Sequence, residues 1–449
     1  MHMILGGLAD DLTGGLELAA MLVAEGVSTL LATSASAARP IGNADAVVIA
    51  QKTRIAPAAE ARALFEAGAS ALRAAGARQI FFKYCATFDS TDSGNIGPCI
   101  EVLMTQTDSD FTACCPTFPE YQRAVFQGHL FVGDRLVSES PKKDDPVTPM
   151  TDPDLVRVLQ RQTAKRVGLI SHVDVRSSAA AIAQRVATLK SEGFHCAIAD
   201  AADHQDLAHL AEATVRWPLM TGGSSLAAHY PALWRQLGWL DGSRAPGDLP
   251  PVHGHGVVLV GSCAEQTRRQ LDVFARSHPV LALDLKAHVR GADVVGAALA
   301  WAEARMSDGP IAVSTSDTPA NVASLQAEFG VARLAASAED LLGRIASGLR
   351  VRGARRFLVA GGETSGAVLA HLGIDRLQVG PFAGPSLPLA LDVTSTSVDS
   401  QDDPLVVCLK SGKLAGLDAF EVALDRMASG SATQSPASAA PAAAAKQPA

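Results

Sequence analysis

At 449 residues the chain is too long for one ordinary hydrophobic core and is expected to divide into roughly two or three domains. Its apolar content of 48% is enough to fill such interiors, while a net charge of −8 and a pI near 5.8 exclude the basic stripe that nucleic-acid binding requires. The start has no Lys or Arg ahead of an apolar run, and no stretch reaches the roughly 18 uninterrupted apolar residues of a membrane span, so a cytoplasmic protein without membrane contact is expected.

In chain order, short apolar runs alternate with Ala-rich helical stretches. Strands are predicted at 4–5, 28–32, 46–50, 79–83, 112–115, 167–171 and 195–199, with helices at 15–25, 58–75, 96–105, 177–191 and 203–213. Strands separated by helices of this length imply βαβ crossovers, an α/β fold and a mainly parallel sheet covered on both faces. One stretch breaks the order. Residues 123–137 alternate in period two around Gly128 and Gly133 and read as a hairpin or small antiparallel flap.

Residues 240–256 are rich in Pro and Gly and lack periodicity, as an interdomain linker does. A second series follows, with strands predicted at 257–261, 280–284, 310–315, 357–360 and 405–410. Its alternation predicts a separate domain with its own core. From Ala428 the chain turns to Ala, Ser, Pro and Gln, too poor in apolar surface to order itself. The expected organisation is two α/β domains over 1–239 and 256–427, a linker over 240–255 and a disordered tail over 428–449.

Several stretches concentrate groups that can do chemistry. Ala9-Asp-Asp-Leu-Thr-Gly14 leaves the first strand, at the sheet end where open α/β folds place ligands. One acid can cap the next helix, but two adjacent ones can hardly both cap. That leaves Asp10 or Asp11 to accept from a polyol or act as a base toward a hydroxyl, with Thr13 alongside. Lys83-Tyr-Cys-Ala-Thr-Phe-Asp-Ser-Thr91 gathers a cation, an acid at Asp89 and several hydroxyls in one loop, which is costly unless something polar binds there. Lys83 reads as a partner for a substrate carboxylate or as a lysine snorkelling from a strand end. Arg123 suits a carboxylate bidentately or belongs to a structural ion pair, and His129 reads as structural.

In the second half, Arg356-Phe-Leu-Val-Ala-Gly-Gly-Glu-Thr-Ser-Gly366 runs from a strand through Gly361 and Gly362 into a helix start. Such a turn aims free N–H groups and the positive end of a helix dipole at one point, which suits phosphate oxygens; it can also serve only to redirect the chain. Val260-Gly-Ser-Cys263 repeats the layout, and Lys410-Ser-Gly412 makes a third polar turn, so the turns could converge on one nucleotide. Neither G-x-x-x-x-G-K-[ST] nor G-x-G-x-x-G occurs. The seven cysteines are scattered without C-x-x-C spacing and read as small buried hydrophobes.

Taken together, Ala9-Asp-Asp-Leu-Thr-Gly14, the Lys83 loop with Gly94-Asn-Ile-Gly-Pro98, Gln127-Gly-His-Leu-Phe-Val-Gly-Asp134, Thr148-Pro-Met-Thr-Asp152, Gly261-Ser-Cys263 and Gly361-Gly-Glu-Thr-Ser-Gly366 resemble the four-carbon acid sugar kinases. The likeness spans nearly everything before the tail and is greatest to the branch acting on 3-oxo-tetronate. It implies an N-terminal sugar-acid-binding domain and a C-terminal nucleotide-binding domain, with ATP and Mg²⁺ as cofactors. It would put Ser262, Gly361, Gly362, Glu363, Thr364 and Gly412 around the nucleotide. Asp11, Lys83, Asp89 and Arg123 fall within substrate-domain motifs. The chain departs from the family pattern at Tyr121-Gln-Arg-Ala124 (commonly Asn-Gly-Arg-Thr), at Ser225 (commonly Gly), at Lys413-Leu414 after Gly412 (commonly Asn-Phe), and at residues 140–146, which lack an expected His.

The expected reaction is transfer of the ATP γ-phosphoryl to the terminal hydroxyl of a C4 sugar acid. Arg123 or Lys83 would hold the carboxylate and Asp11 would be the base, with Asp10 as its neighbour. Threonate or erythronate as the acceptor, and a binding protein without turnover, are the alternatives. The sequence identifies no metal ligands and leaves a homo-oligomer open.

Overall fold

The computed structural model describes residues 3–39, 44–145, 147–242, 247–382, 387–394, 404–412 and 415–430. The first half carries β1 (Leu5–Ala9), β2 (Thr29–Ala32), β3 (Ala46–Ala50), β4 (Gln79–Lys83), β5 (Thr112–Cys115), β6 (Arg123–Phe126), β7 (His129–Val132), β8 (Arg135–Leu136), β9 (Val167–Ile170), β10 (Cys196–Ala199) and β11 (Leu219–Gly222). The second carries β12 (His255–Val260), β13 (Val280–Ala282), β14 (Ile311–Ser314), β15 (Ala354–Ala360), β16 (Arg376–Val379), β17 (Leu389–Asp392) and β18 (Val406–Lys410). Helices lie between most of them, as α/β alternation requires.

Fifteen of these strands form one sheet, in the order β13-β14-β12-β15-β18-β17-β16-β2-β3-β1-β4-β11-β5-β10-β9. Pairing is parallel except where β17 meets β18, β16 meets β17 and β16 meets β2. The last of these joins the halves: Leu377 lies opposite Leu31, with Arg376 against Ala32 and Gln378 against Leu30. One apolar layer is continuous across that seam, running from Leu16 and Leu31 to Leu259, Phe357 and Leu369. On the other face the layer divides, with Phe65, Phe82 and Ile198 in one cluster and Val258, Val260 and Phe420 in another.

β3, β4 and β5 have the expected bounds. β11, β16 and β17 were not foreseen. Arg376-Leu-Gln-Val379 is half polar and β17 follows a proline, so neither is the apolar run of a central parallel strand. The helix predicted over 177–191 is Ala179–Ser191, and a short helix, His172–Ser177, precedes it; Ser178 between them is extended and caps the second by accepting from the Ala181 N–H. The C-terminal helix Ala419–Ser429 runs past Ala428. Tail residues 431–449, linker residues 243–246, Pro146 and the departing pair Lys413-Leu414 lie outside the described residues. Among the described residues no helix is long and apolar enough to cross a membrane.

The flap is a three-stranded antiparallel sheet, β6-β7-β8. Gln127 and Gly128 both have positive φ, +51° and +74°, as a tight two-residue hairpin turn demands. Asp200, fully buried at the end of β10, fastens the turn. Its carboxylate accepts from the N–H groups of Gln127 at 2.7 Å, Gly128 at 2.8 Å and His172 at 2.8 Å. Truncation to alanine would orphan three donors, two of them on the turn. Asp200→Ala is therefore expected to lower unfolding free energy by about 3 kcal/mol, read from urea denaturation, because each buried unsatisfied group costs about 1–3 kcal/mol.

Candidate active site

β1, β3 and β4 are neighbours, so the residues that leave their carboxyl ends meet. Asp11 caps the helix Leu12–Ala24, its Oδ1 accepting from the Gly14 N–H at 2.6 Å, and its Oδ2 stands 3.0 Å from Arg54 Nη2. Asp10 is buried beneath and takes a bidentate pair from Arg54, Nε to Oδ2 and Nη2 to Oδ1, both at 2.8 Å. Burial pushes the Asp10 carboxyl up from its usual range, with Arg54 opposing the shift. Burial would lower Arg54, but Asp10 and Asp11 hold it well above its ordinary value. Neither acid is therefore free of protein partners, and one guanidinium serves both.

Lys83 ends β4 with its side chain buried rather than snorkelling. It donates to the Tyr84 carbonyl at 3.0 Å and lies 3.5 Å from Glu17 Oε1, which also accepts from the Ser224 hydroxyl at 2.8 Å. Burial pushes the Glu17 carboxyl up, and Lys83 pulls against it. Further along the loop, Asp89 adopts a left-handed backbone, φ +41°, and accepts from Thr87 at 2.6 Å and from Lys142 at 2.8 Å. Burial alone would raise Asp89, yet Lys142 and Arg54 outweigh it and hold the carboxyl below its usual range.

Arg123 differs from these cations. It begins β6, is half-buried, and donates to the Tyr121 carbonyl; among the described residues no carboxylate lies within ion-pair distance of it. Burial lowers its pKa, and Cys85 and Asp89 oppose that only in part. The preceding Gln122 has φ +56°, which explains the glycine of the family pattern: the left-handed turn is kept here with a side chain. Ser225, another departure, is buried and donates to the Glu120 carboxylate, at 2.9 Å to its nearer oxygen.

On the other side, β12, β15 and β18 are adjacent parallel strands, and the three glycine turns leave their carboxyl ends together. Gly361, with φ +133°, is the N-cap of the helix Gly362–Leu372, and no side chain caps that helix. The N–H groups of Gly362, Glu363 and Thr364 thus have no intrahelical acceptor. The turns touch so closely that only glycine fits. A Cβ on Gly261 would stand 2.0 Å from Thr364 Oγ1, and one on Gly412 would stand 2.2 Å from Ser262 Oγ. Ser365 turns inward and bonds the Gly361 carbonyl.

A cavity of about 760 Å³ opens between the two sides. Asp11, Thr13, Lys83, Asp89 and Arg123 line it from the first half, and Ser262, Gly361, Gly362, Glu363, Thr364 and Gly412 from the second; Asp10 lies behind. Thr13 Oγ1 is buried with no hydrogen-bond partner among the described residues, and Gly362 is its neighbour across the cleft. An uncapped helix start, glycines that exclude a Cβ and an orphaned hydroxyl fit a phosphate-bearing ligand. Lys52 also spans the cleft, pairing with Glu363 and, at 3.4 Å, with Glu339. Sequence reasoning assigns no site role to Arg54, Glu17 or Lys142, although Arg54 stands just past a predicted strand end, where ligand groups gather; Cys85, read as a buried apolar residue, instead lines the cavity. Burial pushes the Cys85 thiol up to about 11, which makes it a poor nucleophile.

Two family models match the chain: a sugar-binding N-terminal domain over residues 5–230 and a nucleotide-binding C-terminal domain over residues 257–420. A 3-oxo-tetronate kinase of Cupriavidus necator is 45% identical, spanning 94% of this chain and 97% of its own. One from Pseudomonas fluorescens is 44% identical, spanning 96% and 98%. Among solved structures, a Haemophilus influenzae protein, 34% identical, aligns with a TM-score of 0.75 over 94% of this chain and 100% of its own.

Proposed function

The chain belongs to the four-carbon acid sugar kinase family, and from that premise we propose that it transfers the γ-phosphoryl group of ATP to the 4-hydroxyl of 3-oxo-tetronate, the acid that its relatives' names give. The observation that carries the reading is the shared cavity, with Arg123, which has no ion-pair partner among the described residues, on one wall and uncapped glycine-turn amides on the other. An anion on each wall is what a sugar acid and a triphosphate supply.

In this reading Arg123 holds the substrate carboxylate, because Lys83 is already engaged by Glu17. The N–H groups of Gly362, Glu363, Thr364 and Gly412 hold the phosphates, and Ser262 supports Gly412. Asp11, fixed by Gly14 and Arg54, takes the proton of the attacking hydroxyl, and Asp10 positions Arg54. Thr13 supplies a donor between the two ligands. We also propose that the triphosphate arrives with Mg²⁺, which would neutralise its oxygens. Among the described residues no three His, Cys, Asp or Glu converge on one point, so phosphates and water would supply most of its ligands. The cytoplasmic location and the two-domain division are kept as part of this proposal, with the second domain extended through the helix that ends at Ser429.

ADP release measured against a panel of C4 acids tests the reading. Turnover with 3-oxo acids alone supports it; turnover with threonate or erythronate alone changes the substrate, and ATP binding without ADP release leaves a binding protein. Asp11→Asn keeps an acceptor for the Gly14 N–H while removing the charge. It is expected to lower kcat by about 10²-fold with folding intact, the usual scale for a general base. Undiminished turnover would take the base role from Asp11.

A further inference from the structure

We propose that Lys410 is a positioning residue that supplies the counter-charge for the nucleotide phosphates through the Ser411–Gly412 turn. This deepens, and rests on, the nucleotide reading above. Lys410 ends β18 with no solvent exposure, in register with Ala360, the residue before Gly361. Its ammonium donates to the Ser411 carbonyl at 2.6 Å, and among the described residues no carboxylate lies within ion-pair distance. A buried ammonium with one neutral acceptor is costly unless an anion completes its surroundings. Ser411 and Gly412 line the cavity while Lys410 stands behind them.

The peptide geometry gives that position a purpose. The bond is trans, so the Ser411 carbonyl and the Gly412 N–H point in opposite directions. Drawing the carbonyl toward Lys410 turns the Gly412 N–H away from it, and among the described residues that N–H has no acceptor. Lys410 therefore sets the direction of a cavity donor and places a positive charge behind it. Charged or titratable groups on the surrounding elements are Cys408 on the same strand, Arg356 on β15, Asp392 on β17, Glu17, Glu265, Glu363 and Arg426. Of these only Cys408 bears on Lys410, and burial keeps that thiol neutral by pushing it up to about 12. Burial pulls the Lys410 ammonium itself down to about 8.

Phosphate binding favours the charged ammonium, so affinity falls as pH rises through about 8. The test is calorimetric titration of the full chain with ATP from about pH 7 to pH 9, for wild type, Lys410→Met and Lys410→Arg, with thermal unfolding of each unliganded protein. Wild-type affinity is expected to drop about tenfold across that range by proton linkage. Lys410→Met should bind about tenfold more weakly at pH 7, lose the pH slope, and unfold at the same or a higher temperature because a buried charge is gone. Lys410→Arg should retain affinity at pH 9. Lys410→Met with wild-type affinity and slope overturns the proposal, as does a Lys410→Met chain that loses stability and affinity together. A wild-type chain that binds no ATP overturns the nucleotide reading itself.

Discussion

Replacing Arg123 by methionine is expected to lower kcat/KM for the sugar acid by about 10²–10³-fold, the scale of losing one partner of a buried charge pair. KM for ATP should stay within about twofold, because the nucleotide wall is built from other strands. The folded protein should not suffer, since no carboxylate is left behind: Arg123 has no ion-pair partner among the described residues. Lys83→Met is the informative contrast. It would strand the buried Glu17, so its cost should appear in unfolding as much as in kinetics. Steady-state ADP release and urea denaturation on both variants separate the two cations. Equal kinetic and stability losses in both would remove the assignment of the carboxylate to Arg123.

Arg54→Met is expected to have the largest effect on stability, about 3–5 kcal/mol, because it leaves Asp10 buried without its counter-ion. The sign of the pH dependence follows from Asp10. Burial already raises that carboxyl above its unfolded value of 3.8, and without Arg54 only the weaker pull of Lys83 opposes the shift. The folded variant then binds a proton that the unfolded chain releases, so its stability recovers as pH falls from neutral toward about 4. Urea midpoints should lie furthest below wild type above pH 7 and converge in mild acid. A deficit that does not change with pH would contradict an uncompensated Asp10.

What the sequence disclosed was local. Gln79-Ile-Phe-Phe-Lys83 announces a buried strand by composition, and Gly361-Gly362 announces a turn because few other residues would serve there. Asp11 as a helix cap could be read from the four residues that follow it. The Arg54–Asp10 pair could not, because its members are brought together only when β3 and β1 lie side by side. The same holds for Lys142 on Asp89, and for β16, a strand whose polar pattern makes sense only once its antiparallel neighbours are known. Adjacent strands in the sheet set the site, and adjacency is a property of topology.

The pairing of β16 with β2 has a consequence for how the protein is made. β2 emerges early from the ribosome, whereas the segment that covers its flank, Arg376–Val379, arrives only after more than three hundred further residues. Until then a row of main-chain donors and acceptors beside Leu30 and Leu31 lies open to any passing strand. The nascent first half is therefore a natural client for a chaperone, and expressing it alone invites aggregation through that margin.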